Sequence, residues 1–129
     1  MNKPNFHRRK IGDQFEARAA AYLLREGYRI LDRNRVYPWG EIDIIAEENW
    51  ISPYRGSVRT LVFVEVRGTT DGAWISPSES ILSKKAARLK RAIETYLLFY
   101  RGFAQEVRID LMTIHGEQPP KHLPNFIIL

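Results

Sequence analysis

The chain of 129 residues contains no cysteine. That single absence removes disulfide scaffolds, thiolate zinc sites, iron–sulfur clusters and cysteine nucleophiles. Long apolar segments are also missing. Runs such as Leu61–Val64 and Phe126–Leu129 fall far short of the roughly 20 residues that a membrane span needs. The opening stretch, MNKPNFHRRKIGDQ, is basic and lacks the apolar core of a signal peptide. The expected compartment is therefore the cytoplasm, with no membrane partner. There is no glycine-rich phosphate loop, HExxH pair, Rossmann fingerprint or nucleophile elbow. The three histidines, His7, His115 and His122, lie far apart at chain ends or strand edges and read as surface or structural residues.

What is present is ordinary globular composition, 44% hydrophobic and 27% charged, which excludes disorder and collagen-like fibre. No repeat, low-complexity tract or linker interrupts the chain. It reads as one domain, 1–129, whose residues 1–10 form a basic N-terminal arm. The net charge is +5, and Arg outnumbers Lys. Arginine's planar fork suits phosphate oxygens, so the composition raises the expectation of a polyanionic partner, nucleic acid above all. The positive charge gathers in residues 1–35 and 84–101, while Glu41, Asp43, Glu47, Glu48 and Glu65 occupy the middle. An acidic cluster between basic surfaces suits a metal-dependent enzyme acting on phosphodiesters. The bland alternative is solvated helix faces.

Apolar periodicity predicts a helix over 11–27, with Phe15, Ala19, Tyr22 and Leu23 on one face and Gly27 as its stop. Strands are predicted over 28–37, 41–47, 60–67, 105–115 and 124–129, and a second helix over 79–101. Its buried side is Ile81, Ala92, Ile93, Tyr96, Leu97 and Tyr100. The segment 49–57 carries Pro53 and Gly56 and reads as a loop. The order α-β-β-β-α-β-β predicts an α/β fold, a mixed sheet of four to five strands flanked by helices.

Two acids stand where acids are costly. Asp43 lies between Ile42 and Ile44, and Glu65 between Val64 and Val66 in the most apolar strand. Such a carboxylate is paired, metal-bound or at the strand's exposed end. Alternation by two places Phe63, Glu65 and Arg67 on one face, and Glu41, Asp43 and Ile45 likewise on one face. If the strands register, Asp43 and Glu65 converge. They then share a cation, for which oxygen ligands favour Mg²⁺ or Mn²⁺. The structural alternative is an internal ion pair of either acid with Arg67 or Arg108.

The sequence Gly40-Glu41-Ile42-Asp43, then Phe63-Val64-Glu65-Val66, then a helix with Lys85 near its start, then Arg108-Ile109-Asp110, resembles the YraN-type bacterial proteins. These in turn resemble archaeal Holliday-junction resolvases and the PD-(D/E)XK, restriction-endonuclease-like nucleases. The resemblance covers roughly residues 11–129. It implies a restriction-endonuclease-like fold and metal-dependent hydrolysis of DNA, in particular branched or structured DNA. Asp43, Glu65 and the backbone carbonyl of Val66 would hold Mg²⁺ or Mn²⁺, with the helical acid Glu16 at the rim. The lysine expected two residues past the glutamate is here Arg67. That arginine either clamps the scissile phosphate or pairs with Glu65 and disables the site, while Lys84 or Lys85 stands ready to supply an ammonium.

The expected phosphate-binding residues are Arg8, Arg9 and Lys10 of the arm and Lys84, Lys85, Arg88 and Arg91 of the second helix. Trp39, Trp50 and Trp74 are all expected in loops, where an exposed indole either stacks on an unpaired base or folds over the core edge. The apolar tail 126–129 is either the edge of a homodimer or a last core strand. A metal-dependent endonuclease, a non-catalytic nucleic-acid-binding protein and a protein-interaction domain remain the readings to be separated.

Overall fold

The computed structural model describes residues 6–80 and 83–127, with side chains excepted for 6–11, 79, 80 and 83. The elements are α1 (Phe6–Arg25), β1 (Arg29–Tyr37), β2 (Gly40–Ser52), β3 (Gly56–Thr69), α2 (Pro77–Ser80), α3 (Ser83–Phe99), β4 (Glu106–His115) and β5 (Lys121–Ile127). The five strands form one sheet in the order β1-β2-β3-β4-β5. Neighbours are antiparallel except β3 and β4, which are parallel. A parallel pair needs a crossover long enough to hold a helix, and the segment carrying α3 supplies it. The expected α/β fold with a mixed sheet and the order α-β-β-β-α-β-β is the one observed.

Each face of the sheet is covered by one helix. Phe15, Ala19 and Leu23 of α1 pack on Ile44, Val62, Val64, Val66, Met112 and Ile114. Leu89, Ala92 and Ile93 of α3 pack on Ile42, Ile45, Leu61, Phe63 and Ile109 across the sheet. Having apolar side chains on both faces, β3 is the central strand, which is why its sequence is nearly continuous Val, Leu and Phe. The α1 helix closes with Gly27 at φ 91°. The Tyr28 amide reaches back to the Leu23 carbonyl (2.9 Å) and the Gly27 amide to that of Leu24 (3.1 Å). Glycine tolerates this left-handed turn without penalty, and the motif satisfies two carbonyls at the helix end.

Three expectations change. The loop predicted over 49–57 is strand for most of its length, because β2 runs to Ser52 and β3 starts at Gly56. Pro53 falls just past the ladder, where its missing N–H costs no strand pairing. Ser52 Oγ accepts the amides of Tyr54 and Arg55, both at 3.3 Å, to close the turn. Trp50 is consequently a strand residue, and its indole donates to Thr60 Oγ1 at 3.1 Å. The first helix starts at Phe6, so residues 6–10 of the expected arm are helical backbone. Over the second helix the described residues 77–80 (α2) and 83–99 (α3) are helical, and Ile81 lies outside the described residues. The last strand starts at Lys121, earlier than expected. Among the described residues, no helix is long and apolar enough to cross a membrane.

Candidate functional site

The β2–β3 ladder runs in unbroken register from Ser52↔Gly56 to Ile44↔Val64 and ends there. One step further, the same register would set Asp43 opposite Glu65. Instead the Asp43 side chain takes over from the ladder, its Oδ2 accepting the Val66 amide at 2.9 Å. The alternation expected over Glu41, Asp43 and Ile45 slips here, since Ile42 packs in the same α3-side cluster as Ile45. Asp43 and Glu65 therefore stand where the β2–β3 pairing stops.

Glu65 is almost fully buried. Two cations meet its Oε1: Arg67 Nη2 at 2.6 Å and Lys85 Nζ at 3.1 Å. Arg67 comes from the same strand face, two residues on, and its Nη2 is buried without an aligned hydrogen bond. Lys85 arrives from the first turn of α3. Burial raises the Asp43 carboxyl above its ordinary pKa, and the charge of Glu65 raises it further, against the pull of the Val66 N–H. Burial raises Glu65 likewise, partly offset by Arg67. Two desolvated carboxylates this close disfavour joint ionisation unless positive charge joins them.

Glu16 approaches from α1. The helix lies close because Gly68 has no side chain: a Cβ there would sit 2.4 Å from the Phe15 ring. The Glu16 carboxyl is buried, with Oε1 making no hydrogen bond and lying 4.0 Å from Arg33 Nε. Burial pushes its pKa up to about 7; Arg33 opposes this, while the charges of Asp13, Glu41 and Glu65 add to it. Glu16, Glu41, Asp43 and Glu65 therefore share one electrostatic neighbourhood.

The donor set fits a hard divalent cation. It consists of the two carboxylates, with the Val66 carbonyl and water to complete a coordination sphere of oxygens. Among the described residues no three His, Asp or Glu side chains stand as a metal-holding group, so main chain and water would have to supply the remaining ligands.

A cavity of about 670 Å³ opens beside Glu65. Its walls are the β1–β2 turn, including Tyr37, Trp39 and Glu41, and the start of α3, with Lys85 and Arg88; Glu65 lines it too. Lys84 and Arg88 are exposed on α3, and the exposed Arg91 guanidinium lies 4.8 Å over the Trp39 ring. Glu16, Asp43, Glu65, Arg67 and Lys85 are thus brought together. The side chains of Arg8, Arg9 and Lys10 lie outside those described. Tyr37 and Arg33 were not read from the sequence as parts of this site, whereas Trp39 was expected in a loop, stacking on a base or folded over the core edge. The spacing of two aromatics around Pro38 is the signal that marks Tyr37.

Arg108 does not pair with Asp43 or Glu65. It binds both oxygens of Asp110 (2.8 and 2.9 Å), Glu48 (2.8 Å) and the Tyr28 hydroxyl (2.8 Å). Asp110 also meets His122 Nε2 at 2.7 Å and accepts the Asn125 amide at 2.8 Å. Burial alone would raise the Asp110 carboxyl, but the hydrogen bonds from His122 and Arg108 hold it below its ordinary value. This satisfied network ties β5 to β4 and α1's exit. His115 is also structural: buried, accepting the Ile75 amide (3.1 Å) and stacked on Trp74.

Fold and site together define a class: a small α/β protein with a mixed five-stranded sheet, in which Asp43 and Glu65 stand where the β2–β3 pairing stops and Arg67 and Lys85 meet Glu65. The chain belongs to UPF0102, the uncharacterised protein family whose pattern matches residues 15–114. A UPF0102 protein of Anaeromyxobacter dehalogenans is 35% identical over 120 residues, covering 91% of this chain and 83% of its own. That of Carboxydothermus hydrogenoformans is 37% identical over 108 residues, 84% of each chain. That of Moorella thermoacetica is 39% identical over 108 residues, 83% of this chain and 82% of its own. The matched span includes every site residue from Glu16 to Arg91.

Proposed function

We propose that the protein is a metal-dependent DNA endonuclease of the restriction-endonuclease-like kind, acting on branched or otherwise structured DNA in the cytoplasm. The observation that carries this reading is the meeting of Asp43 and Glu65 where the β2–β3 ladder ends, with Lys85 Nζ 3.1 Å from Glu65 Oε1. A phosphodiester is anionic and repels hydroxide. A divalent Mg²⁺ or Mn²⁺ ion, when bound, supplies charge screening and a more acidic water.

Asp43 and Glu65 provide the anionic oxygens. The Val66 N–H fixes the Asp43 carboxylate in place, so less reorganisation accompanies reaction. Lys85 holds a compact, partly exposed ammonium at the cavity wall, able to meet a non-bridging phosphate oxygen as charge builds there. It fills the place that the strand lysine takes in the proteins this sequence resembles. Arg67 cannot serve as a base, since its guanidinium does not deprotonate. It neutralises Glu65 and stands within reach of the same phosphate. Arg88 and Arg91 extend the positive surface along α3. Junction substrates have two-fold symmetry, so paired cuts would call for a homodimer.

The ion pair of Arg67 with Glu65 favours a second reading, a non-catalytic nucleic-acid-binding protein on the same fold, in which arginine takes the cation's place. Incubation of linear, flapped and four-way DNA with Mg²⁺ or Mn²⁺ separates the two. Cleavage by the wild type that is lost in Asp43→Asn supports the nuclease. DNA binding without cleavage on every substrate leaves the second reading.

A further inference from the structure

The cavity that Glu65 lines is also lined by two aromatic rings. Tyr37 and Trp39 flank Pro38 at the β1–β2 turn, and their rings lie nearly parallel, 4° apart in plane with centroids 5.9 Å apart. A guanidinium lies against each ring: Arg35 is 5.7 Å over Tyr37 and Arg91 4.8 Å over Trp39. The row is fixed in position. The Trp39 indole donates to Thr95 Oγ1 at 3.1 Å, and Thr95 in turn donates to the Arg91 carbonyl at 2.9 Å. The turn presses on α3 so closely that a Cβ on Gly40 would fall 2.5 Å from the Arg88 carbonyl oxygen. The same cavity holds Lys85, Arg88 and Glu65.

Aromatic rings set beside guanidinium groups are the surface that single-stranded nucleic acid uses: bases stack on rings while phosphates meet the cations. A stacked duplex cannot present a base to a narrow cavity unless that base leaves the stack. We propose that the Tyr37–Trp39 wall seats an unpaired nucleobase next to a phosphate held by Lys85 and Arg88. The substrate class is then DNA with an unpaired nucleotide at the reacting step, rather than continuous duplex. This rests on the nucleic-acid reading above. A clamp that only fastened the hairpin tip to α3 would give the same contacts but no preference for bases.

The test is equilibrium binding of the full chain, in metal-free buffer, to three labelled oligonucleotides of equal length. These are a single strand, a duplex, and a single strand whose bases are replaced by abasic residues. The normal strand should bind roughly tenfold or more tightly than the abasic strand, the size of one base–aromatic stack. The backbone charge is the same in both. Trp39→Leu should erase that gap, whereas Trp39→Phe, which keeps a ring face without the Thr95 bond, should retain most of it. Equal binding of the normal and abasic strands by the wild type overturns the inference, and this comparison stands even if Trp39→Leu fails to fold. A gap that persists in folded Trp39→Leu overturns it too. Binding of none of the three oligonucleotides overturns the nucleic-acid reading itself, whereas equal binding of all three leaves that reading standing.

Discussion

Lys85 Nζ on α3 and Arg67 Nη2 on β3 share one oxygen, Glu65 Oε1, at 3.1 and 2.6 Å. Two cations of different chemistry therefore compete for one buried carboxylate. Arginine is permanently charged and planar, whereas lysine is a compact charge on a flexible stem. The arrangement divides two roles between them: Arg67, the more buried, balances Glu65, and Lys85, the more exposed, is available to a substrate.

Lys85→Ala should lower cleavage by about 10²–10³-fold, the usual cost of removing one group that stabilises transition-state charge. Arg67→Lys in that background should restore part of the loss by returning an ammonium to the same strand face. Single-turnover rates on a flapped DNA measure both. Unchanged cleavage in Lys85→Ala would remove the helix lysine from the chemistry.

Asp43→Asn keeps an oxygen to accept the Val66 amide and removes a charge that Glu65 repels. Without metal, at pH 8, the variant should melt a few degrees higher than the wild type, since a ΔΔG of about 1 kcal/mol shifts a domain of this size by several degrees. The stabilisation that Mn²⁺ gives the wild type should disappear. Thermal melts with and without Mn²⁺ report both. Equal Mn²⁺ shifts in the two proteins would make the carboxylate pair purely structural.

The acids also set a pH dependence. Glu16 titrates at about 7 in the folded chain against 4.5 ordinarily, and Asp43 and Glu65 are raised in the same direction. The folded state thus binds more protons than the unfolded chain across this window. Metal-free stability should be full below about pH 4.5 as far as these groups are concerned, and should fall as pH rises through 7. Divalent-metal binding, which needs ionised carboxylates, should strengthen over the same range. Urea melts at pH 5 and pH 8 check the first, and calorimetric titration with Mn²⁺ the second. In Glu16→Gln the pH slope should be shallower.

Asp110→Ala would leave Arg108 half-buried without its two-oxygen partner and detach His122. Losing one member of such a buried pair costs about 3–5 kcal/mol. The urea midpoint should drop accordingly. In variants that remain folded at low temperature, Mn²⁺ affinity should be unaltered, because the network stands apart from the carboxylate pair.

Charge reversal at Arg88 and Arg91 should weaken DNA binding on every sequence and reduce the salt slope by roughly two, one for each phosphate that is no longer neutralised. Anisotropy titrations across a salt series measure it. An unmoved slope would mean that α3 turns this face away from DNA.

Much of the layout was legible in the chain itself. Strand and helix periodicities are local, so the element order and the buried faces of α1 and β3 follow from the spacing of residues such as Phe15, Ala19 and Leu23, or Val62 and Val64. Asp43 and Glu65 stood out because a carboxylate inside an apolar strand demands a partner. Pro53 and Gly56 misled, because either a long loop or a tight turn satisfies their chemistry. The choice was made by the pairing of β2 with β3 up to Ser52↔Gly56. What tertiary structure alone decided is where the register stops. Alternation says which face a side chain takes, but not that β2 and β3 part at Ile44↔Val64 or that the Asp43 carboxylate replaces a ladder bond there. Nor does it say which lysine of α3 reaches Glu65, or that the Tyr37–Trp39 row lines the same cavity. Those meetings join residues far apart in the chain, and only helix packing against a twisted sheet fixes distances of that kind.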